Sequence, residues 1–459
     1  MVSDGAGTPP GEADRRVVLT GFGVVSSLGS GVAEFTAGLR AGRSGARPIT
    51  VFDTEGFAHA VGCEVADFTA ERWIKDLPVE SLGPATRFAV SAARMAVEDA
   101  GLDPAVLRRQ HGMICVGTTD GESHDLDGLV ATEVAHGPEA MDPVVAGRIG
   151  AARLSVAIAR ELGLSDVEAV TIPTACAAGN YAIGYGYDAV RSGEVDFALC
   201  GGADAMCRKT FAGFYRLGTI APDLCRPFDA DRAGILTGEG AGVLVLESLR
   251  SALARGARIY AEVLGYGLNC DAYHQVAPDQ GSVARAMGLA LQDAGIAPHQ
   301  VDLISAHGTG TRANDVTETR AIRDVFGDDP PRTVAVKSML GHTMGAAGAL
   351  SAIACALAIT HRFIPPTINH RRTDPECAID CVPNEAVDAD LRVVQNNGLA
   401  FGGNNAVVLL GRYDPPGPGT HNPAGPGAYD LTGPGTYDLP GPGATVRARP
   451  PSPASEHPS

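Results

Sequence analysis

The chain has 459 residues, 45% of them hydrophobic and 19% charged, which is enough to bury a large core and excludes a small peptide module. Against 53 Asp plus Glu stand 36 Lys plus Arg, and the formal charge of −17 argues against nucleic acid as a bulk electrostatic partner, while one Trp leaves little for base stacking. No bilayer span is expected. The N-terminus is neither a secretory signal nor an Arg-rich transit peptide, and ten Cys without a Cys-x-x-Cys pair fit reduced thiols in a cytoplasmic protein better than disulfides or a metal site.

Residues 1–14 and 413–459 differ in composition from everything between them and are expected to be disordered tails. The second repeats an eight-residue unit from Gly417 that begins Gly-Pro-Gly and carries Tyr429 and Tyr437; a solvated spacer and a docking tether are both open readings. Between the tails, β-type apolar runs alternate with Ala-rich helical stretches. Strands are expected near 17–23, 112–117, 170–173, 301–305, 333–336 and 407–410, and helices near 88–100, 181–190 and 346–360. The last helix is apolar all round and should be buried on every side. The alternation predicts α/β layers without an internal linker, as two intertwined halves of about 15–258 and 259–412 around one core.

Three segments carry candidate chemistry. In Thr174-Ala175-Cys176-Ala177-Ala178-Gly179 a Cys stands where an apolar run turns into a helix of small residues. Helix-terminal dipoles there favour a thiolate, and small neighbours leave room for a carbonyl. Taken alone, a buried Cys is more often a packed core thiol. Further on, a strand ends in Ala306-His307-Gly308-Thr309-Gly310-Thr311, and a third segment reads Lys337-Ser338-Met339-Leu340-Gly341-His342 before the buried helix. Each His or Lys alone is more often structural or solvated; the three segments together reverse that reading.

These segments resemble the β-ketoacyl synthases of the thiolase superfamily, the elongating type that takes both substrates from acyl carrier protein. The likeness also runs through Val17-Val18-Leu19-Thr20-Gly21-Phe22-Gly23, Arg226-Pro227-Phe228-Asp229, Gly238-Glu239-Gly240-Ala241-Gly242 and Phe401-Gly402-Gly403-Asn404-Asn405. The resemblance implies a thiolase-like fold with an αβαβα core and a decarboxylating Claisen condensation that extends a polyketide or fatty-acyl chain. It implies Cys176 as the acylated nucleophile, His307 and His342 as donors to the extender thioester, and Lys337 as the residue that holds the His network. Backbone N–H groups of Cys176 and Phe401 would form an oxyanion hole. Thr309 and Thr311 would bind pantetheine amides, and Gly398, Leu399, Ala400, Phe401, Gly402 and Gly403 would form a gate. No metal or cofactor of its own is expected, only the phosphopantetheine arm of the carrier. The partners implied are acyl carrier protein and a second ketosynthase-type subunit, as homodimer or heterodimer.

Asp315 and Glu318 match positions that brace the His loop, and His274 one near the substrate channel. Three departures stand out. Ala400 replaces a family Gly at the gate, with Gly398 as a substitute hinge; Ser351 replaces a Glu; and Asp120 and Glu122 stand where fatty-acid enzymes have apolar sequence near the acyl pocket. Either these two carboxylates line a pocket for a polar acyl group or they are solvated at a dimer interface. Arg208, Lys209 and Arg216, after a turn expected at 201–204, are candidate carrier-docking cations. A thiolase acting on coenzyme A esters would want a second Cys at the C-terminal Gly-rich loop, which has none. A non-catalytic partner subunit is disfavoured by Cys176, His307 and His342, and acyl transfer without condensation stays open.

Overall fold

Ten strands carry the architecture of the computed structural model, which describes residues 16–415. They are β1 (Val17–Ser26), β2 (Gly112–Gly117), β3 (Val167–Ile172), β4 (Phe197–Asp204), β5 (Gly240–Ser248), β6 (Ala261–Cys270), β7 (Leu303–Ser305), β8 (Arg332–Val334), β9 (Val393–Leu399) and β10 (Asn404–Gly411). The proposed tails lie outside the described residues except for 413–415.

The strands form one path in the order β8-β7-β9-β10-β6-β1-β5-β4-β2-β3. Read outward from the centre, each half has the same topology. In the first, β1 runs antiparallel to β5 and β5 to β4, while β2 is parallel to both β4 and β3. In the second, β6 runs antiparallel to β10 and β10 to β9, while β7 is parallel to both β9 and β8. The halves meet where β1 pairs antiparallel with β6. This duplication is the structural form of the two intertwined halves.

Helices fill the layers. The pair α1 (Pro84–Asp99) and α2 (Arg153–Leu162) covers the outer face of the first half, and α4 (Gln280–Ala294) with α5 (Arg312–Phe326) covers that of the second. Between the two half-sheets lie α3 (Ala178–Ser192) and α6 (Ala347–His361), which touch each other. Helix α6 has sheet on both sides, and every residue from Ala347 to Ile359 is buried. Its Ala, Gly and Ser side chains let strand and helix backbones approach closely. The stretch Met344–His361 is apolar and long enough to cross a membrane by composition, yet 89% of it is buried inside the protein, as a core helix. All ten Cys are free, and only Cys270 among them is exposed.

One local expectation differs. Residues 201–204 are the end of β4, not a turn: Gly202 pairs with Gly242, and a Cβ on Gly202 would lie 2.2 Å from the Gly345 carbonyl oxygen, so the strand ends pressed against the other half.

Candidate active site

Strand β3 ends at Ile172, and the chain passes through a 3-10 turn, Ala175–Ala177, straight into α3. Ala175 has φ +50°, a left-handed conformation that costs a non-Gly residue roughly 1–2 kcal/mol and sets Cys176 at the head of the helix. The second half repeats the device. Met344 has φ +51° and opens the 3-10 turn Met344–Ala346, which runs into α6. Thr343-Met344-Gly345-Ala346-Ala347-Gly348 thus repeats Thr174-Ala175-Cys176-Ala177-Ala178-Gly179, with Gly345 in the place of Cys176. The shared Thr-x-x-Ala-Ala-Gly pattern is the sequence signal for this equivalence.

Cys176 is buried, and burial pushes its thiol up to about 11. The Lys337 charge and a hydrogen bond from the Phe401 backbone N–H pull the other way. The groups that favour the thiolate are outweighed here by desolvation. A resting thiol that is ionised as it reacts fits this environment.

Strand β7 delivers His307 and the turn after Leu340 delivers His342; both are buried, with ring centroids 5.4 Å apart and planes at 81°. Lys337 Nζ donates to the His307 carbonyl oxygen at 2.6 Å and lies 3.4 Å from its Nδ1. The Met344 N–H donates to His342 Nδ1 at 3.2 Å. With both Nδ1 atoms facing donors, the network assigns the proton of each neutral ring to Nε2. Burial first, then the Lys337 charge, holds both imidazoles well below their ordinary value, so both are neutral donors at neutral pH. The same lysine acts on Cys176, which places the three motifs in one electrostatic cluster.

Glu318 on α5 braces this cluster, accepting from the backbone N–H of His307 at 2.7 Å and of Gly308 at 2.9 Å, and from Asn397 Nδ2 at 3.0 Å. Its charge is also the largest effect opposing the desolvation that lowers Lys337. Asp315 accepts from Phe228 N at 2.9 Å and Gly310 N at 3.2 Å, and burial raises it to about 6. Ser351 is buried within α6. The carboxylate that organises His307 and Lys337 comes from α5, so the Ser351 departure leaves that brace in place.

Thr309 and Thr311 follow the His loop with their hydroxyls 2.9 Å apart, and Thr311 also caps α5 by accepting from Asn314 N. At the gate, Gly398 and Leu399 belong to β9 and pair with Ala406 and Asn405. Gly398 is thus held in a ladder and is no substitute hinge. The turn is Ala400 to Gly403, closed by Ala400 N to Asn404 O and Gly403 N to Ala400 O, with positive φ only at Gly402 and Gly403. Phe401 packs on Phe214 at 5.3 Å between ring centroids. His274 is exposed and accepts from the N–H groups of Val276 and Ala277.

Neither reading of the acidic pair survives as a pair. Glu122 is 1% exposed and accepts from Thr86 N, Thr86 Oγ1 and Ala85 N, capping the start of α1. It is not solvated; its carboxylate is spent on the helix start. The Asp120 side chain is also buried, bonded to Lys209 Nζ at 2.7 Å and Thr210 Oγ1 at 2.8 Å, and lines a small cavity with Met206, Phe211 and Met344. Lys209 is thereby engaged by Asp120 and Ser123, Arg208 donates to the Asp53 carbonyl, and Arg216 stands exposed. A buried carboxylate at the end of β4, Asp204, joins the Asp120 loop to Gly345; burial and then the Asp120 charge raise it to about 7.

Comparison with known proteins shows the family to which the chain belongs. Residues 14–252 match the family described as beta-ketoacyl synthase, N-terminal domain, and residues 260–371 match its C-terminal domain. The chain is 38% identical over 410 residues to 3-oxoacyl-[acyl-carrier-protein] synthase 2 of Synechocystis sp., covering 87% of this chain and 98% of that one. Among solved structures, the ishigamide ketosynthase/chain length factor matches at 67% identity and a TM-score of 0.87, covering 87% of this chain and all of that one. A type II polyketide ketosynthase solved with its acyl-carrier protein and a bound hexaketide matches at 30% identity and TM-score 0.80, over 87% of this chain and 100% of that one. The fold is the thiolase-like one of these ketosynthases, and the chain belongs to the beta-ketoacyl synthase family, acyltransferases that lengthen a carrier-bound acyl chain by Claisen condensation.

Proposed function

We propose that the protein condenses an acyl group held on Cys176 with malonyl-acyl carrier protein. Cys176 Sγ attacks the thioester of an acyl carrier, the carrier thiol leaves with the proton, and an acyl-enzyme thioester remains. The malonyl thioester then loses CO2, and the electron pair of the broken C–C bond forms an enolate. The Nε2–H groups of His307 and His342 stabilise its oxygen, and each such donor contributes about 3–4 kcal/mol in a dry preorganised site. The enolate carbon attacks the Cys176 thioester, the Cys176 and Phe401 N–H groups hold the tetrahedral oxyanion, and the Cys sulfur departs to be reprotonated. The product is longer by two carbons and stays on the carrier.

The observation that carries this reading is the pair of neutral imidazoles whose Nδ1 atoms both face donors, in one buried cluster with a Cys at a helix head. Lys337 holds His307, Thr309 and Thr311 hydrogen-bond the pantetheine arm, and the 398–403 segment gates entry through its Gly402–Gly403 turn. Acyl carrier protein is the partner, as in the solved ketosynthase complex. The arm it carries is the only prosthetic group required. Likeness to the ishigamide ketosynthase favours polyketide-type specialised metabolism in the cytoplasm, and a ketosynthase-like partner subunit as the alternative to a homodimer. Strand β3, the outer edge of the sheet, exposes Glu168 to Val170 and offers the place where a second subunit continues it.

Intact-protein mass spectrometry after incubation with acyl carriers, combined with CO2 release from malonyl carrier, tests the reading. An adduct on Cys176 together with CO2 release and a longer carrier-bound product is expected. An adduct without CO2 release would leave only acyl transfer.

A further inference from the structure

Asp204 ends β4 at the junction of the two halves, and its carboxylate is completely buried. Four donors converge on it. Oδ1 accepts from Thr118 Oγ1 at 2.6 Å and Asp120 N at 2.9 Å, and Oδ2 accepts from Thr119 N at 2.8 Å and Gly345 N at 2.6 Å. The first three belong to the loop after β2. The fourth belongs to the 3-10 turn that opens α6, on the residue directly after the one whose N–H addresses His342.

That turn needs a restraint. Met344 sits at φ +51° with an unbranched side chain and no glycine's freedom; its own N–H donates to His342 Nδ1 while the next N–H donates to Asp204. The acceptor oxygen of Asp204 at the first turn of α6 also meets an N–H at the positive end of the helix dipole. By the internal repeat, Gly345 occupies the position that Cys176 holds in the other half, where the backbone N–H of Phe401 reaches across. Phe401 follows the end of β9, the counterpart of β4. The two halves therefore brace each other's helix heads, one through a backbone N–H and the other through the Asp204 carboxylate.

We propose that Asp204 is a positioning residue for His342, holding the Met344–Gly345 turn so that the Met344 N–H fixes the Nε2–H tautomer and the ring orientation that decarboxylation needs. This rests on the condensation reading. Wild-type protein releasing CO2 from malonyl carrier establishes that reading independently of Asp204.

The test compares two half-reactions, acylation of Cys176 and decarboxylation of malonyl carrier, in Asp204→Asn and Asp204→Glu. The first turns one acceptor into a donor; the second, longer by a methylene, shifts the carboxylate off Gly345 and serves if the first does not fold. Decarboxylation falling on the order of tenfold more than acylation is expected, since a small displacement of a catalytic donor has a cost of that size or more. Nitrogen-15 spectra of the His342 ring should show loss of the pure Nε2–H form. Thr118→Val, which removes one donor and leaves the Gly345 bond, should keep the ratio of half-reactions at the wild-type value. Both half-reactions falling together in folded protein, or an unchanged His342 spectrum, would overturn the assignment.

Discussion

Lys337 Nζ reaches the carbonyl oxygen of His307 at 2.6 Å and lies 3.4 Å from Nδ1 of the same residue. One buried ammonium thus fixes both the backbone and the ring of the histidine, and its charge is the largest influence lowering Cys176. Replacing it with Ala removes that influence, so the Cys176 pKa rises further from about 11. The alkylation rate of Cys176 at a fixed alkaline pH should fall, with the pH profile displaced upward, and CO2 release should fall with it.

His307→Ala and His342→Ala each remove one donor from the enolate oxygen. Decarboxylation should drop by about 10²–10³-fold, the cost of losing one oxyanion donor, while acylation of Cys176 persists. Acylation lost to the same degree would mean that the rings serve the nucleophile.

The pH dependence has a definite sign. Both rings are held well below 6.5 by burial and by Lys337, so they bind protons less readily folded than unfolded. Their contribution to stability is complete above 6.5 and is withdrawn as the pH falls from there towards the folded values. CO2 release should accordingly show no histidine-type acid limb near 6.5, and denaturation midpoints should decline below it.

Glu122 and Asp120 should separate cleanly. Glu122→Ala leaves Thr86 N and Ala85 N without their acceptor, and stability should fall by about 2–3 kcal/mol with acyl preference unaltered, as thermal unfolding and an acyl-carrier panel will show. Asp120→Val takes a charge out of the cavity beside Met344 and leaves Lys209 half exposed to water. Acylation by saturated straight-chain carriers should rise several-fold; an unchanged preference across the panel would remove Asp120 from the pocket's selectivity.

The gate turn offers a fifth test. Gly402 has φ +85° and open space around it, so Gly402→Ala strains the turn by roughly 1–2 kcal/mol without a clash. The rate of Cys176 acylation should fall, read by rapid-quench mass spectrometry, while thermal stability drops by no more than that strain.

Cys176, His307, Lys337 and His342 were legible because each stands in a short run whose residue types the chemistry demands, and the α/β alternation was legible because apolar periodicity reports layers directly. Even the duplication was written in the chain, as Thr174 to Gly179 and Thr343 to Gly348, though it takes the repeated β-sheet order to make six residues persuasive. What the linear order could not supply was partnership. Glu122 caps a helix that begins 38 residues earlier, Asp120 meets a lysine on a later helix, and Gly398 is held by β10, each through contacts set only when the sheets close. Burial acts the same way: a helix-head thiol reads as acidic until the surrounding layers remove its water and raise it to about 11. The amino-acid order specified which groups would react; the closing of two half-sheets around two helices decided which charges they would feel, because solvation and long-range contacts belong to the packed molecule and not to any segment of it.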